Sequence, residues 1–482
     1  MTNQLYQATF LMLVARLSVK AISVVSSIIL ARLLLPEDFG LVAICMSVYG
    51  LIELLSYFGF GSYLIQKSDA TAEDYNNTWS LKLLFALSSS VLLILASGLA
   101  ADFFNEQRVQ PLLWMLALIS AVTGFSNIGT VNFQKHLDFK AEMQFQIIPK
   151  VVTFFFTIGA ALALRSYWAL VIGMLVNEIF NVLLSYRMSS FRPKFELKKS
   201  RQIFSFSKWI LLDNCASYLN KKLPSVISGY QLGPAATGLF SLADEIGSLP
   251  TAEVTAPINR ATFPIYAANK DDRAQLTQIY LSTLNLNATL SLPAAVGIAL
   301  IAPLFVPVVL GVQWLSVVPI LQILALAGFF ASLSTNVGYI FLAKGTPRFL
   351  LWINAGRALF TVSVLLFLVP LWGLTGLALA LLLSAVAMLF ITQVMARRVI
   401  DITIFSFAQS IYRPVCGVAV MSSMLLLPGF NAQNTTLSNL VLFIIYGATS
   451  YILSTFVLWQ IAGKPDGIER KIKNRLLNFR KQ

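Results

Sequence analysis

The sequence predicts an all-α integral membrane protein of about fourteen transmembrane helices, built as two parallel six-helix lobes around a central cavity with two extra C-terminal helices. Three observations predict this: an apolar composition, a regular series of membrane-length runs, and an internal repeat. Of 482 residues, 57% are hydrophobic and 12% charged, whereas a soluble domain carries about 25% charged residues. Lipid is therefore the solvent, and only helices or closed barrels satisfy the backbone there.

Apolar runs near the length that crosses a hydrocarbon core fall at about 8–35, 40–63, 78–101, 111–133, 143–164 and 166–187. A basic stretch, Arg192 to Arg201, follows them. Six more runs lie near 204–231, 234–262, 276–303, 317–343, 347–371 and 373–395, and two near 405–428 and 437–462. The first run carries Arg16 and Lys20 at its middle and is too long for a signal-peptide core, so it reads as a helix. The domain reading is a 1–200 N-lobe, a 201–398 C-lobe, helices 13 and 14 over 399–462, and a basic tail over 463–482. Cys45, Cys215 and Cys416 lie inside apolar runs without metal-ligand spacing and read as packing residues.

Basic residues gather on alternate loops, which fixes an expected orientation, because cytoplasmic loops hold the excess of Lys and Arg. One side has Lys67, Lys135, Lys140, the stretch from Arg187 to Arg201, Arg260, Lys270, Arg273, Lys344, Arg348, Arg397, Arg398 and the tail. The other has only Arg32, Arg108 and Arg165. Both termini are expected in the cytoplasm of a bacterium, with the chain multi-pass in the inner membrane. The net charge of +14 is thereby spread over many short loops as a topology signal, and no nucleic-acid partner is implied. The tail reads either as a helix on anionic headgroups or as a solvated basic segment.

Two stretches recur. Leu35-Pro36-Glu37-Asp38-Phe39-Gly40-Leu41 returns as Gly233-Pro234-Ala235-Ala236-Thr237-Gly238-Leu239, keeping Pro, Gly and Leu. Pro111 to Leu118 returns as Pro319 to Leu326, after which Asn127, Gly129 and Lys135 align with Asn336, Gly338 and Lys344. An even number of spans per repeat makes the halves parallel, as in transporters whose repeat axis lies along the membrane normal.

The run Ala31-Arg32-Leu33-Leu34-Leu35-Pro36-Glu37-Asp38-Phe39-Gly40-Leu41, with Ser56-Tyr57-Phe58-Gly59-Phe60-Gly61, Leu64-Ile65-Gln66-Lys67 and Asn132 to Phe139, resembles the bacterial polysaccharide exporters. It looks like the Wzx-type, colanic-acid-exporter-like branch of the multidrug/oligosaccharidyl-lipid/polysaccharide superfamily. The resemblance implies a flippase that moves undecaprenyl-diphosphate-linked oligosaccharide from the cytoplasmic to the periplasmic leaflet by alternating access, in lipopolysaccharide or exopolysaccharide biosynthesis. The partners it implies are that polyprenyl-diphosphate-linked glycan, membrane lipids, and a polysaccharide polymerase or other assembly proteins.

Ionisable residues inside spans are functional candidates by default, since each costs on the order of 3 kcal/mol at a helix centre. Arg16 and Lys20 share one face of the first helix, and Lys82, Lys150 and Arg357 lie on the third, fifth and eleventh. These five are the candidate diphosphate ligands, because clustered cations in a low dielectric suit phosphate oxygens. Glu53, Asp213, Asp244 and Glu245 are candidates for ion coupling or for pairing with the cations. No cofactor is called for; H⁺ or Na⁺ is the candidate coupling ion. Lys208, Lys221, Lys222 and Arg413 read as paired or snorkelling residues.

Three other readings compete. A drug exporter of the same superfamily would present an acidic cavity to its cations. A membrane polysaccharide polymerase would need a sizeable outer loop with catalytic residues, whereas the loops are short and the one histidine, His136, has no triad. The chain therefore does not read as an enzyme. A scaffold role predicts that the intramembrane cations are dispensable.

Overall fold

The computed structural model describes residues 2–54, 60–67, 69–136, 138–198, 200–346, 348–426 and 436–463, so the predicted basic tail lies outside the described residues from residue 464 onward. Every regular element among them is helical. The helices are α1 (Thr2–Leu33), α2 (Pro36–Leu54), α3 (Phe60–Gln66), α4 (Ala72–Phe103), α5 (Val109–Gly124), α6 (Val131–Lys135), α7 (Phe139–Leu164), α8 (Trp168–Met188), α9 (Ser200–Ala268), α10 (Arg273–Phe305), α11 (Val318–Ala343), α12 (Arg348–Ala396), α13 (Ile404–Leu425) and α14 (Leu437–Ile461). Among the described residues, 8 helical segments are long and apolar enough to cross a membrane, or up to 9 counting one bent pair.

Two long helices are each broken at a glycine. In α9 the break is Gly233 (φ 79°) and in α12 it is Gly373 (φ 54°), left-handed backbone that glycine adopts without a Cβ clash. Divided there, α9 and α12 each supply two of the predicted spans. The predicted run over 111–133 differs: α5 ends at Gly124, and the chain turns by 64° before continuing into α6. Asn127 makes the turn, since its side chain accepts from Gly129 N at 2.9 Å and donates to the Phe191 carbonyl at 2.6 Å, while its own N–H donates to Ser185 Oγ at 2.9 Å. Its repeat counterpart Asn336 sits inside the unbroken helix α11.

By contacts the chain divides into two compact units, Met1–Gly238 and Leu239–Gln482. The division falls at Gly238 and not at residue 200, because the first segment of α9 packs on the first unit: Tyr218 donates to the Ser47 carbonyl, and Gly229 faces Ile44. In the first unit α4 pairs with α5, α7 with α8, and α1 with α7, around a core that includes Leu41, Ile44, Leu93, Leu112 and Leu116. In the second, α10 packs on α11 and α13, α11 on α12, and α13 on α14, around Leu284, Leu333, Val337 and Met388. Large apolar side chains also point outward, such as Leu99 at 75% and Phe390 at 68% exposure, as a lipid-facing surface requires. Cys45 packs in the core, but Cys416 is exposed on α13 because it falls on that outward face; Cys215 has a side chain outside the described set.

Loops predicted to share a side meet one another. Lys135 Nζ donates to the Lys67 carbonyl at 2.7 Å, and Lys67 pairs with buried Asp74 at 2.9 Å. In the second unit Arg273 pairs with Asp401 at 2.9 Å and donates to the Arg397 carbonyl at 2.8 Å. On the opposite set, Asp38 accepts from Leu35 N and Tyr167 N, both at 2.9 Å, and Arg108 bridges Glu37 and Glu106. The acidic pair of the first repeat motif therefore caps α2 and ties three loops together.

The Arg108 guanidinium hydrogen-bonds Glu106 and holds its carboxyl below the ordinary value of 4.5. A carboxyl depressed in the folded state binds fewer protons than in the unfolded chain, so its contribution is fully present above 4.5 and is lost as pH falls below that. Arg108→Gln should remove it. Thermal unfolding of the purified protein between about pH 5 and pH 3.5 should then show a shallower acid loss for the variant than for wild type; equal slopes would reject this account.

The recurring Pro-x-x-x-Gly stretch also gains a structural meaning. Pro36 opens α2, and Pro234 opens the second segment of α9 directly after the Gly233 break, both at the first helical position. The two copies touch backbone to backbone. A Cβ on Gly40 would lie 1.7 Å from the Pro234 oxygen, and one on Gly238 would lie 1.8 Å from the Pro36 oxygen. The contact is reciprocal, as a duplicated motif meeting its own copy would be, and it is a small-residue crossing of the kind that lets membrane helices approach closely.

Candidate functional site

The first unit holds a polar cluster made by α2, α4, α5 and α8, to which α7 adds one hydroxyl. Lys82 of α4 donates to Ser126, just beyond α5, and lies within electrostatic reach of Glu178 on α8 and Glu53 on α2. Glu53 accepts from Ser120 Oγ at 3.1 Å and bonds Tyr49. Glu178 accepts from Thr123 Oγ1 at 3.3 Å and from Asn177 Nδ2 at 2.9 Å, and Asn177 in turn accepts from Thr153 Oγ1 at 3.3 Å. All three charged groups are half-buried. Ser120 and Thr123, about one turn apart on α5, share a side of that helix, and Ser126 follows in the turn just beyond its end.

The other sequence candidates are placed as follows. Arg16 and Lys20 are half-buried on α1, Lys150 is exposed on α7, and Asp244 and Glu245 are exposed on the second segment of α9. The side chain of Asp213 lies outside the described residues. Lys82 is brought together with Glu53 and Glu178, so the locality around it is mixed in charge and not simply basic. Glu178 and Asn177 were not singled out as site residues from sequence, although Glu178 stands in an otherwise uncharged run from Trp168 to Tyr186, a signal that could have found it.

The second unit has no such charged trio on the equivalent helix pair among the described residues. There α10 meets α11 through neutral groups: Asn287 Nδ2 donates to Asn336 Oδ1 at 3.1 Å and Ser291 lies 3.3 Å from Ser332, all four buried. Thr335, at the register position of Ser126, accepts from Asn259 Nδ2 at 3.1 Å. Arg357, half-buried on the first segment of α12, instead lines a cavity of about 250 Å³ with Thr335, Tyr339 and Asn354.

An all-helical chain with lipid-facing apolar walls, a duplicated helix pattern and ionisable groups held inside its spans is a membrane transporter in architecture. The chain belongs to the polysaccharide biosynthesis protein family, whose model matches residues 29–319. It is 25% identical to the teichuronic acid biosynthesis protein TuaB of Bacillus subtilis (strain 168), over 77% of each chain. It is 26% identical to the lipopolysaccharide biosynthesis protein WzxC of Escherichia coli (strain K12), over 69% of this chain and 68% of that one. In fold it is similar to the lipid II flippase MurJ in an inward closed conformation, with a TM-score of 0.76 at 12% identity, covering 93% of this chain and 98% of that chain.

Proposed function

We propose that the protein flips an undecaprenyl-diphosphate-linked oligosaccharide from the cytoplasmic to the periplasmic leaflet of the bacterial inner membrane by alternating access, with both termini cytoplasmic. What supports this reading is the presence of basic side chains on long apolar helices in a chain of the polysaccharide biosynthesis family. Cations in a low dielectric stabilise phosphate oxygens, and the polyprenyl tail stays in lipid. Arg16, Lys20, Lys82, Lys150 and Arg357 are the proposed headgroup ligands. The names of the relatives TuaB and WzxC, both of polymer biosynthesis, support a glycan substrate over a drug cation. A polymerase or assembly protein acting on the delivered glycan is the proposed partner.

Coupling is proposed to reside in the first unit. Two carboxylates, Glu53 and Glu178, stand against one ammonium, Lys82, leaving one negative charge that a single H⁺ or Na⁺ neutralises. Asp244 and Glu245 are exposed and less suited to hold an ion away from water.

The test replaces each of the five cations by Gln and measures surface polysaccharide beside membrane abundance. At least one well-expressed variant should lose export more than tenfold. Full export from all five would reject the cationic headgroup site.

A further inference from the structure

The two copies of the duplicated stretch differ by one residue, and the difference falls where α5 breaks. Between Leu118 and Asn127 the first copy has eight residues, Ile119 to Ser126, whereas between Leu326 and Asn336 the second has nine, Ala327 to Thr335. In the second copy α11 runs unbroken through this region; in the first, α5 stops at Gly124 and the chain turns by 64°. One residue fewer rotates everything after it by about 100° around a helix axis. The residue that meets the neighbouring helix changes accordingly. Asn336 accepts a hydrogen bond from Asn287 of α10, whereas in the first copy the residue before its counterpart, Ser126, accepts the one from α4, donated by Lys82.

A turn inside an apolar run takes backbone groups out of the helical ladder, so side chains must satisfy them. Asn127 does this from two directions. Its N–H donates to Ser185 of α8, two turns beyond Glu178 on the same helix, and its side-chain amide donates to the Phe191 carbonyl. Phe191 belongs to a non-helical strap, residues 189–196, which is itself stitched to α4: Lys194 N donates to Asn76 Oδ1 at 2.9 Å and Glu196 N to Ser80 Oγ at 2.7 Å. Ser80 stands two residues from Lys82. Gly129 completes the fit, because a Cβ there would strike Ser189 and Phe191. The strap therefore holds both partners of the Lys82–Ser126 contact, one through Asn127 and the other through α4.

We infer that Asn127 is a positioning residue for Lys82: through Ser185 and the 189–196 strap it fixes the turn that keeps Ser126 on the ammonium, an assignment that rests on the proposed role of Lys82 in transport. The one-residue difference between the copies is what makes the turn, and Asn127 is what holds it. Asn127 acts on transport through Lys82 and is assigned no contact with substrate or ion of its own.

The test is a double-mutant cycle on flipping of a fluorescent polyprenyl-diphosphate glycan, in proteoliposomes holding equal amounts of folded full-length protein. Asn127→Ala should slow flipping at least about fivefold in the wild-type background and less than about twofold in the Lys82→Met background. A merely structural role would slow both alike, so equal factors would overturn the inference. Asn127→Ser keeps an oxygen for Gly129 N but is too short to reach Phe191, and it should fall between wild type and Asn127→Ala; no gain over Asn127→Ala would count against the inference. Should Asn127→Ala fail to fold, Ser185→Ala, which removes only the acceptor of the Asn127 N–H, takes its place in the same cycle. A separate readout is one alanine inserted between Gly124 and Phe125, which gives the first copy the nine-residue length of the second. Spin labels at Gln107 and His136 should then move apart by about 8 Å, as the bent pair becomes one rod rising about 1.5 Å per residue; an unchanged distance would overturn the origin assigned to the turn. Wild-type flipping by Lys82→Met would count against the role of Lys82 itself, whatever the Asn127 variants do.

Discussion

Gly40→Ala and Gly238→Ala are each expected to destabilise the protein by about 3 kcal/mol or more, the upper end of what inserted core atoms cost. The reason is that the atoms in the way are backbone. A methyl at either position would stand 1.7 or 1.8 Å from a proline carbonyl oxygen, and no side-chain rotation relieves that. The helices must separate, losing the close approach on which their packing depends. The opposing effect is the better helix propensity of Ala, about 1 kcal/mol, too small to decide the outcome. Gly159→Ala in α7, where nothing lies within 4 Å of the new methyl, is the control and should be neutral or slightly stabilising. Melting temperatures in detergent, with membrane abundance, measure all three. Because both clashes occur at one crossing, the double variant should be less harmful than the sum of the singles. A Gly40→Ala protein that melts like Gly159→Ala would reject the account.

That crossing also shows how far the sequence could be read. The repeat of Pro, Gly and Leu is visible in the string itself. Loops assigned to one side by charge meet in the structure, as Lys67 with Lys135 and Arg273 with Asp401 do, since charge partition reports topology. What the string did not contain was that Gly40 packs on Pro234, a contact between residues almost two hundred positions apart. Hydropathy likewise could not show the turn after Gly124, because the residues on both sides are apolar and the turn is made by a side chain, Asn127, reaching Phe191 and Ser185.

The site was legible as residue types and not as groupings. A charge in an apolar run announces itself, so Lys82, Arg357 and Glu53 were visible. Which of them meet is set by helix rotation and by the order of helices in the bundle, neither of which hydropathy encodes. Glu53 reads from sequence as a pairing candidate without a named cation, and it is the packing that turns a glutamate of α2 and another of α8 toward Lys82. In the second unit the same helix pair is held by Asn287, Asn336, Ser291 and Ser332, which carry no charge and give no sequence signal beyond polarity. The duplication thus preserved the framework while the ionisable trio stands in the first unit.

Lys82→Met follows from that asymmetry and should have the second large effect. It leaves Glu53 and Glu178 without their ammonium in apolar surroundings, and removing one partner of a buried charge set costs about 3–5 kcal/mol. Since all three groups are half-buried, the lower figure is expected. Adding Glu178→Gln to Lys82→Met returns the trio to its wild-type net charge and should restore abundance and melting temperature by most of that amount, while flipping stays at least tenfold reduced. In proteoliposomes, wild-type flipping of a fluorescent polyprenyl-diphosphate glycan should respond to an imposed pH or Na⁺ gradient. Glu53→Gln with Glu178→Gln should flip without that response. Two results are thereby separated: an unrescued Lys82→Met would mean that the lysine acts through contacts other than these acids, and a gradient response that survives loss of both carboxyls would place coupling elsewhere in the chain.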